Sequence, residues 1–377
     1  MKAWRMKAWL SIVTVLVVAS LTNFTGEARA ESQTPTGDRD REALQRIANP
    51  PLGLPAVPFP SANPPSVEKI LLGRKLFFDP RLSANGTMSC GTCHLPEQGF
   101  TVTGRARSIG HGGVELRRNA PTVLNAAYLQ SVFLDGRRDS LEAQALDPLI
   151  SPEEMANSSL SAVLDTIRGA RDYDGLFEKA FGGEPTSERL AQAISTYERT
   201  LLAANSPFDR WYYGGQQDAI GDSAKQGFEL FTGRANCATC HTVHQSHALF
   251  TDNQFHDDGT GWRRTRGPAA TRAQFAQLLL VGNAPHQPAD LGRFEVSRDV
   301  GQMFWYRTPS LRNVALTAPY MHDGSFKTLR DVVDYYNKGG FSWYGIDPRI
   351  KRLELTRNEK AALVAFLESL TADAVPQ

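Results

Sequence analysis

The chain has 377 residues, enough for two or three domains of ordinary size. Its 41 basic and 40 acidic side chains leave a net charge of +1, which gives no support for a nucleic-acid partner or a strongly charged surface. With 31 glycines and 22 prolines, the composition suits a loop-rich fold wrapped around something large.

Residues 1–30 read as a secretory signal: Lys2, Arg5 and Lys7 precede an apolar run from Ala8 to Leu21 that is short for a membrane span, then an Ala28-Arg29-Ala30 cleavage pattern. The competing reading is an uncleaved membrane anchor. Residues 31–65 are polar and then Pro-rich, and read as an extended arm or linker. Ser66 caps a helix that carries Ile70, Leu71, Leu76 and Phe77 at helical spacing.

Cys90-Gly91-Thr92-Cys93-His94 follows, and Cys237-Ala238-Thr239-Cys240-His241 repeats it. Cys-x-x-Cys-His is the c-type haem attachment pattern: two thiols bond to the vinyl groups and the next residue gives the iron its proximal nitrogen. One copy could be accidental, or a thiol redox or zinc fragment. Two complete copies that use all 4 cysteines point instead to two covalently bound haem c groups, with His94 and His241 as iron ligands. Covalent attachment outside the cytoplasm agrees with export to the periplasm.

Residues 99–125 form a long polar loop that holds His111; a lone loop histidine is more often solvated than a ligand. Gln144 and Glu154 would each, taken alone, be read as surface residues. Helices are expected over Leu160–Ile167 and Ser187–Leu202, then a boundary near Asn205-Ser206-Pro207. Asp222 caps a helix with Phe228 and Phe231, stopped by Gly233. His244, His247, His256 and His286 lack ligand spacing and are assigned to the surface or to outer positions. Thr328 with Asp331, and Thr356 with Glu359, are capping boxes that open two further helices. In the first of these, Leu329, Val332, Val333 and Tyr336 share a face, and Gly339-Gly340 ends it. Strand alternation is scarce, so the fold class is mainly α.

Together these stretches resemble the bacterial dihaem cytochrome c peroxidases, including the MauG-type branch. The matching segments are Leu76 to Leu82, the two haem motifs, Arg118 to Thr122, Asp135-Gly136-Arg137 and Thr308 to Gly324. The resemblance implies two cytochrome-c-like haem domains with long irregular loops, here 66–205 and 206–377, with the C-terminal tail packing back on the first. It implies that His111 covers the distal side of the first haem until activation. Glu154 matches the distal acid/base and Gln144 the amide beside it. Asn119, Thr317 and Pro319 match the positions that hold a Ca²⁺ through one side-chain oxygen and two backbone carbonyls. Tyr336 matches the distal ligand of the second haem in the MauG branch; the bland alternative is a core tyrosine, and Tyr335 is the neighbouring candidate. Leu134 stands where the family usually has an inter-haem tryptophan, and Ala235 where the methylamine-utilisation member has a second one.

The function implied is reduction of hydrogen peroxide with electrons from a small cytochrome c or cupredoxin. The alternative is MauG-type oxidation of residues in a partner protein. A pure electron carrier is a third reading, against which Glu154 and Gln144 speak, since a carrier has no use for a distal acid. Family members are often homodimers.

Overall fold

Two pairs of helices frame the protein, and each pair crosses at a glycine. In the computed structural model, which describes residues 36–265, 290–341 and 345–376, α2 (Val67–Phe78) lies across α7 (Ser187–Glu198). A Cβ at Gly73 would stand 1.9 Å from the Ala193 carbonyl oxygen, so only glycine allows that approach. In the second half α9 (Asp222–Thr232) lies across α13 (Arg357–Glu368), and a Cβ at Gly227 would stand 2.0 Å from the Ala362 oxygen. The other helices, in chain order, are α1 (Thr36–Ala48), α3 (Cys90–Cys93), α4 (Leu141–Ile150), α5 (Leu160–Gly169), α6 (Leu176–Phe181), α8 (Pro207–Tyr212), α10 (Thr260–Thr265), α11 (Phe294–Ser297) and α12 (Leu329–Asn337). Strand among the described residues is limited to β1 (Phe255–His256) paired antiparallel with β2 (Tyr306–Arg307), so the fold is mainly helical with long loops.

The two halves repeat one layout. Asn125 and Asn313, Phe133 and Met321, and Gly136 and Gly324 are separated by the same number of residues, and all six have positive φ. The bridge Val132–Arg138 recurs as Tyr320–Phe326 at that separation, and the cap Ser140 of α4 as the cap Thr328 of α12. One apolar core gathers Leu72, Phe77, Phe100, Leu149, Ile194 and Tyr197; another gathers Phe208, Phe228, Phe231, Phe250, Leu363 and Phe366.

Four expectations change. Asp222 opens α9 as its first residue and does not cap it, since Gly221 holds the cap position with no side-chain bond. From residue 36 the stretch expected to be a free arm begins as α1, whose Ala43, Leu44 and Ile47 pack with Leu54, Val57 and Ile70. Asp40 also pairs with Arg74 of α2 at 2.8 Å, and Arg312 donates to the Gly53 carbonyl at 2.6 Å. A polar composition concealed one apolar stripe. The helix expected to reach Leu202 stops at Glu198, because Thr200 Oγ1 turns back to donate to the Tyr197 carbonyl and Ala203 N–H donates to Asn125 Oδ1 instead. On α12 the buried residues are Leu329, Val333 and Tyr335, while Val332 and Tyr336 are only half-buried. Tyr335 turns inward because its hydroxyl donates to the Asp258 carbonyl at 2.8 Å and accepts from the Phe341 N–H. Among the described residues no helix is long and apolar enough to cross a membrane; the signal-like residues 1–30 and His286 lie outside them.

Candidate active site

Both Cys-x-x-Cys-His motifs close into a single turn. His94 N–H donates to the Cys90 carbonyl at 2.9 Å, and His241 N–H to the Cys237 carbonyl at 3.0 Å. The first turn is capped by Ser89 N–H on Thr92 Oγ1 at 3.0 Å. Gly91 is needed there, since a Cβ would stand 2.4 Å from the Phe78 ring. All four thiols are free.

The two histidines are held alike. His94 Nδ1 lies 3.1 Å from the Phe100 carbonyl oxygen, and His241 Nδ1 lies 2.8 Å from that of Phe250. Phe100 and Phe250 have φ of 55° and 52°, the left-handed backbone that turns each carbonyl toward its ring. The proton therefore sits on Nδ1 and leaves Nε2 bare, the tautomer an iron ligand needs. Burial lowers both imidazole pKa values and keeps the rings neutral, as ligation requires. Phe77 and Phe231 each lie 6.4 Å from their motif histidine, centroid to centroid. Free thiols beside neutral, oriented imidazoles are the donor set of covalent haem. A buried guanidinium adds to the fit: Arg307 is 4% exposed, yet its described hydrogen bonds reach only the Phe133 and Thr308 carbonyls, each at 3.4 Å. Burial lowers its pKa to about 10, so an acidic group of a ligand would relieve it.

On the first motif's side, α4 carries Gln144, half-buried with no described hydrogen bond from its amide. The chain then doubles back, with Met155 N–H on the Pro148 carbonyl at 3.1 Å. That turn separates two adjacent acids: Glu153 is exposed and Glu154 half-buried. Burial raises the Glu154 pKa; a Ser151 hydrogen bond and the Arg137 charge partly oppose it. Glu154 acts electrostatically on both Cys90 and Cys93. His111 N–H donates to the Glu153 carbonyl at 2.9 Å, and a Cβ at Gly110 would stand 1.9 Å from that oxygen. The His111 Nδ1 is buried without a partner. The structure thus brings the His111 loop, Glu154 and the first motif together.

Around the second motif, Tyr336 falls on α12, the helix that repeats α4. Its phenol is set deep in the fold, though still reachable by solvent, and feels Cys240 and Cys237 as well as Asp258. Burial first, then Asp258, pushes its pKa well above the usual range, so a phenolate there requires a cation close by. Ala235 is buried just before the motif. Of the histidines assigned to the surface or to outer positions, His256 is half-buried, and its nitrogens lie 2.9 Å from Asp252 and 3.0 Å from Asp347. Burial alone would lower its pKa, but hydrogen bonds to Cys240 and Asp252 raise it to about 9. Asp347 is remote in sequence, so spacing gave no hint of it. His244 and His247 stack on one another at 4.7 Å.

The halves meet crosswise. Arg307 N–H donates to the Leu134 carbonyl, and Asn119 N–H to the His322 carbonyl, each at 2.8 Å, at positions the repeat makes equivalent. Asn119 Nδ2 donates to the Ala106 carbonyl at 2.9 Å, which leaves its Oδ1 open. Among the described hydrogen bonds none ends on that oxygen or on the Thr317 or Pro319 carbonyls. Sequence reasoning missed the buried bridge of Arg118 to Asp290 and Asp135, both at 2.6 Å, and the buried Glu198.

Residues 67–217 match the family model described as di-haem cytochrome c peroxidase. The methylamine utilization protein MauG of Methylorubrum extorquens is 40% identical over 371 residues, 97% of this chain and 94% of that one. A cytochrome-c peroxidase of a Pseudomonas species is 37% identical over 340 residues, covering 87% and 88%. The crystal structure of a MauG-like protein associated with microbial copper homeostasis superposes with a TM-score of 0.72 at 33% identity, over 86% of this chain and 95% of that one.

Proposed function

Since the chain belongs to the di-haem cytochrome c peroxidase family, MauG-type relatives included, we propose that it is a periplasmic enzyme that reduces hydrogen peroxide with electrons from a small cytochrome c or cupredoxin. The observation that carries this reading is Glu154, the inward member of an acidic pair, with its pKa raised beside the first motif. When bound, the two haems supply a peroxide-reactive iron and a one-electron relay to it.

Cys90 and Cys93 would hold the first haem and His94 its iron; Cys237, Cys240 and His241 would do the same for the second, and Arg307 would take a cofactor carboxylate. Glu154 accepts a proton from the inner peroxide oxygen and returns it to the outer one, so that water can leave. Gln144 orients the peroxide from α4. His111 would cover the peroxide-reacting iron at rest, and its buried, unpartnered Nδ1 supports that role. Asn119 Oδ1 with the Thr317 and Pro319 carbonyls would hold Ca²⁺ between two haem domains that divide near residue 205; the two apolar cores support the division, with Ala372 of the C-terminal tail returning to the first. Export rests on the signal-like residues 1–30 and on covalent haem attachment.

Tyr336 favours a second reading, in which the enzyme oxidises a partner protein. An anionic oxygen ligand would stabilise oxidised iron at the second haem and oppose ordinary donor turnover. Leu134 and Ala235 stand against the methylamine-utilisation substrate in particular. Steady-state peroxide consumption with reduced cytochrome c tests the choice: rapid turnover supports the peroxidase, and peroxide reactivity without donor oxidation supports the second reading.

A further inference from the structure

The first half buries an acid that the second half does without. Glu198, the last residue of α7, is 6% exposed, and its Oε2 is wholly buried with no partner. No described hydrogen bond or ion pair ends on either oxygen. Apart from burial, the group that acts most strongly on Cys90 is Glu198, which places its carboxyl beside the first haem-attachment thiol.

The cations within reach are already engaged. Arg199, the next residue, donates two hydrogen bonds to the Glu142 carboxylate of α4, at 2.8 and 3.0 Å. Arg74 of α2, which lies toward Tyr197, pairs with Asp40 of α1 at 2.8 Å. Glu142 also acts on Glu198, as Glu198 does on the Tyr197 hydroxyl, itself buried and unpartnered; Glu154 acts on the same Cys90. A carboxyl in such a place keeps its proton, and burial raises the Glu198 pKa to about 8 against the smaller opposing effect of Arg199.

The repeat shows that the fold itself does not need this acid. Gly73 meets Ala193 and Tyr197 on α7 as Gly227 meets Ala362 and Phe366 on α13. In that register Tyr197 corresponds to Phe366, and Glu198 to the buried Leu367. The residues buried on the two helices of the same crossing beside the second motif are all apolar.

We propose that Glu198 couples a proton to the electron of the first haem: it holds the proton while that iron is reduced and releases it when the iron is oxidised. On oxidation one electron leaves for the second haem or peroxide, the Glu198 O–H bond breaks, and the proton passes to solvent. The carboxylate left behind offsets the charge gained. On reduction the donor's electron and a solvent proton restore the acid. The inference rests on the dihaem reading, so haem content is measured first, by pyridine haemochrome; fewer than two haems per chain would overturn that reading and this one with it.

The test is spectropotentiometry of the holoenzyme across pH values on both sides of about 8. In the wild type one haem's midpoint potential should fall as pH rises, approaching ~59 mV for each tenfold drop in proton activity, the value for one proton per electron. Glu198→Gln should remove that slope from one haem and leave the other unchanged. Glu198→Leu, which introduces the second half's residue, should do the same in a folded protein. Redox-difference infrared spectra should show a protonated-carboxyl band lost on oxidation in the wild type and absent from both variants. A slope that persists in the variants, or a wild type with no slope at either haem, overturns the proposal.

Discussion

Replacing Glu154 by glutamine should keep both haems and the fold while removing most of the peroxide reaction. The amide matches the acid in size but cannot accept a proton. Positioned acid–base groups contribute about a hundred- to ten-thousand-fold, roughly 3 to 5 kcal/mol of barrier. The adjacent acid supplies the control: Glu153 is exposed and meets the His111 loop only through its backbone, so Glu153→Gln should change the rate less than about twofold. The pH profile follows from the direction of the shift. Burial holds the Glu154 proton on to higher pH than the ordinary 4.5, and only the ionised form can accept the peroxide proton. The wild-type rate should therefore climb as pH rises through that raised pKa and then level off, whereas Glu154→Gln should show no such climb. A carboxylate buried above its raised pKa costs stability, so the glutamine variant should be as stable as the wild type at neutral pH, and a slow rate will not reflect unfolding. Stopped-flow mixing of peroxide with the diferric enzyme, read in the Soret band, measures the rate directly. Wild-type speed in Glu154→Gln would remove this residue from the mechanism; a large loss in Glu153→Gln would move the role to its neighbour.

Tyr336→Phe should change the ferric spectrum of the second haem and leave that of the first nearly intact, and Tyr336→Met should raise the second haem's potential, since axial ligands tune potentials over about 0.8 V; an unchanged ferric spectrum in the phenylalanine variant refutes the ligand. Stripping the protein with a chelator should alter its spectra or turnover, with recovery on added Ca²⁺, if Asn119, Thr317 and Pro319 bind the ion; identical behaviour in demonstrably calcium-free protein refutes the site. Arg312→Met should destabilise the fold by about 3–5 kcal/mol, because Asp209, 0% exposed, would lose its guanidinium partner; thermal unfolding measures the loss.

Some helix starts were legible from a local cap, and others were not: the Ser206 and Asp209 capping box opens α8 where the sequence suggested only a boundary. Thr328 with Asp331 and Thr356 with Glu359 form the expected capping boxes, because those bonds are local. The end of α7 was not legible, since Thr200 and the distant Asn125 decide it together. The apolar stripe of α1 was hidden by its polar majority, and its burial depends on Leu54 and Ile70, which belong to other elements.

The two Cys-x-x-Cys-His motifs determined the cofactor class by themselves, because thiol spacing and the adjacent histidine are covalent constraints carried within five residues; the family came from their order with Leu76 to Leu82, Arg118 to Thr122 and Thr308 to Gly324. Glu154 and Gln144 came from resemblance, not from any local signal. The repeat of the two halves lay in the sequence as well, at Asn125 and Asn313 or Gly136 and Gly324, but it became visible through the matching left-handed backbone. Tertiary structure alone decided that Glu154 turns inward while Glu153 faces solvent, that His256 stands between Asp252 and Asp347, and that Glu198 is buried with no counter-ion. Each of these depends on how segments far apart in the chain remove water and supply or withhold a partner, and the ionisation of a side chain is set by that surrounding, not by its neighbours in sequence.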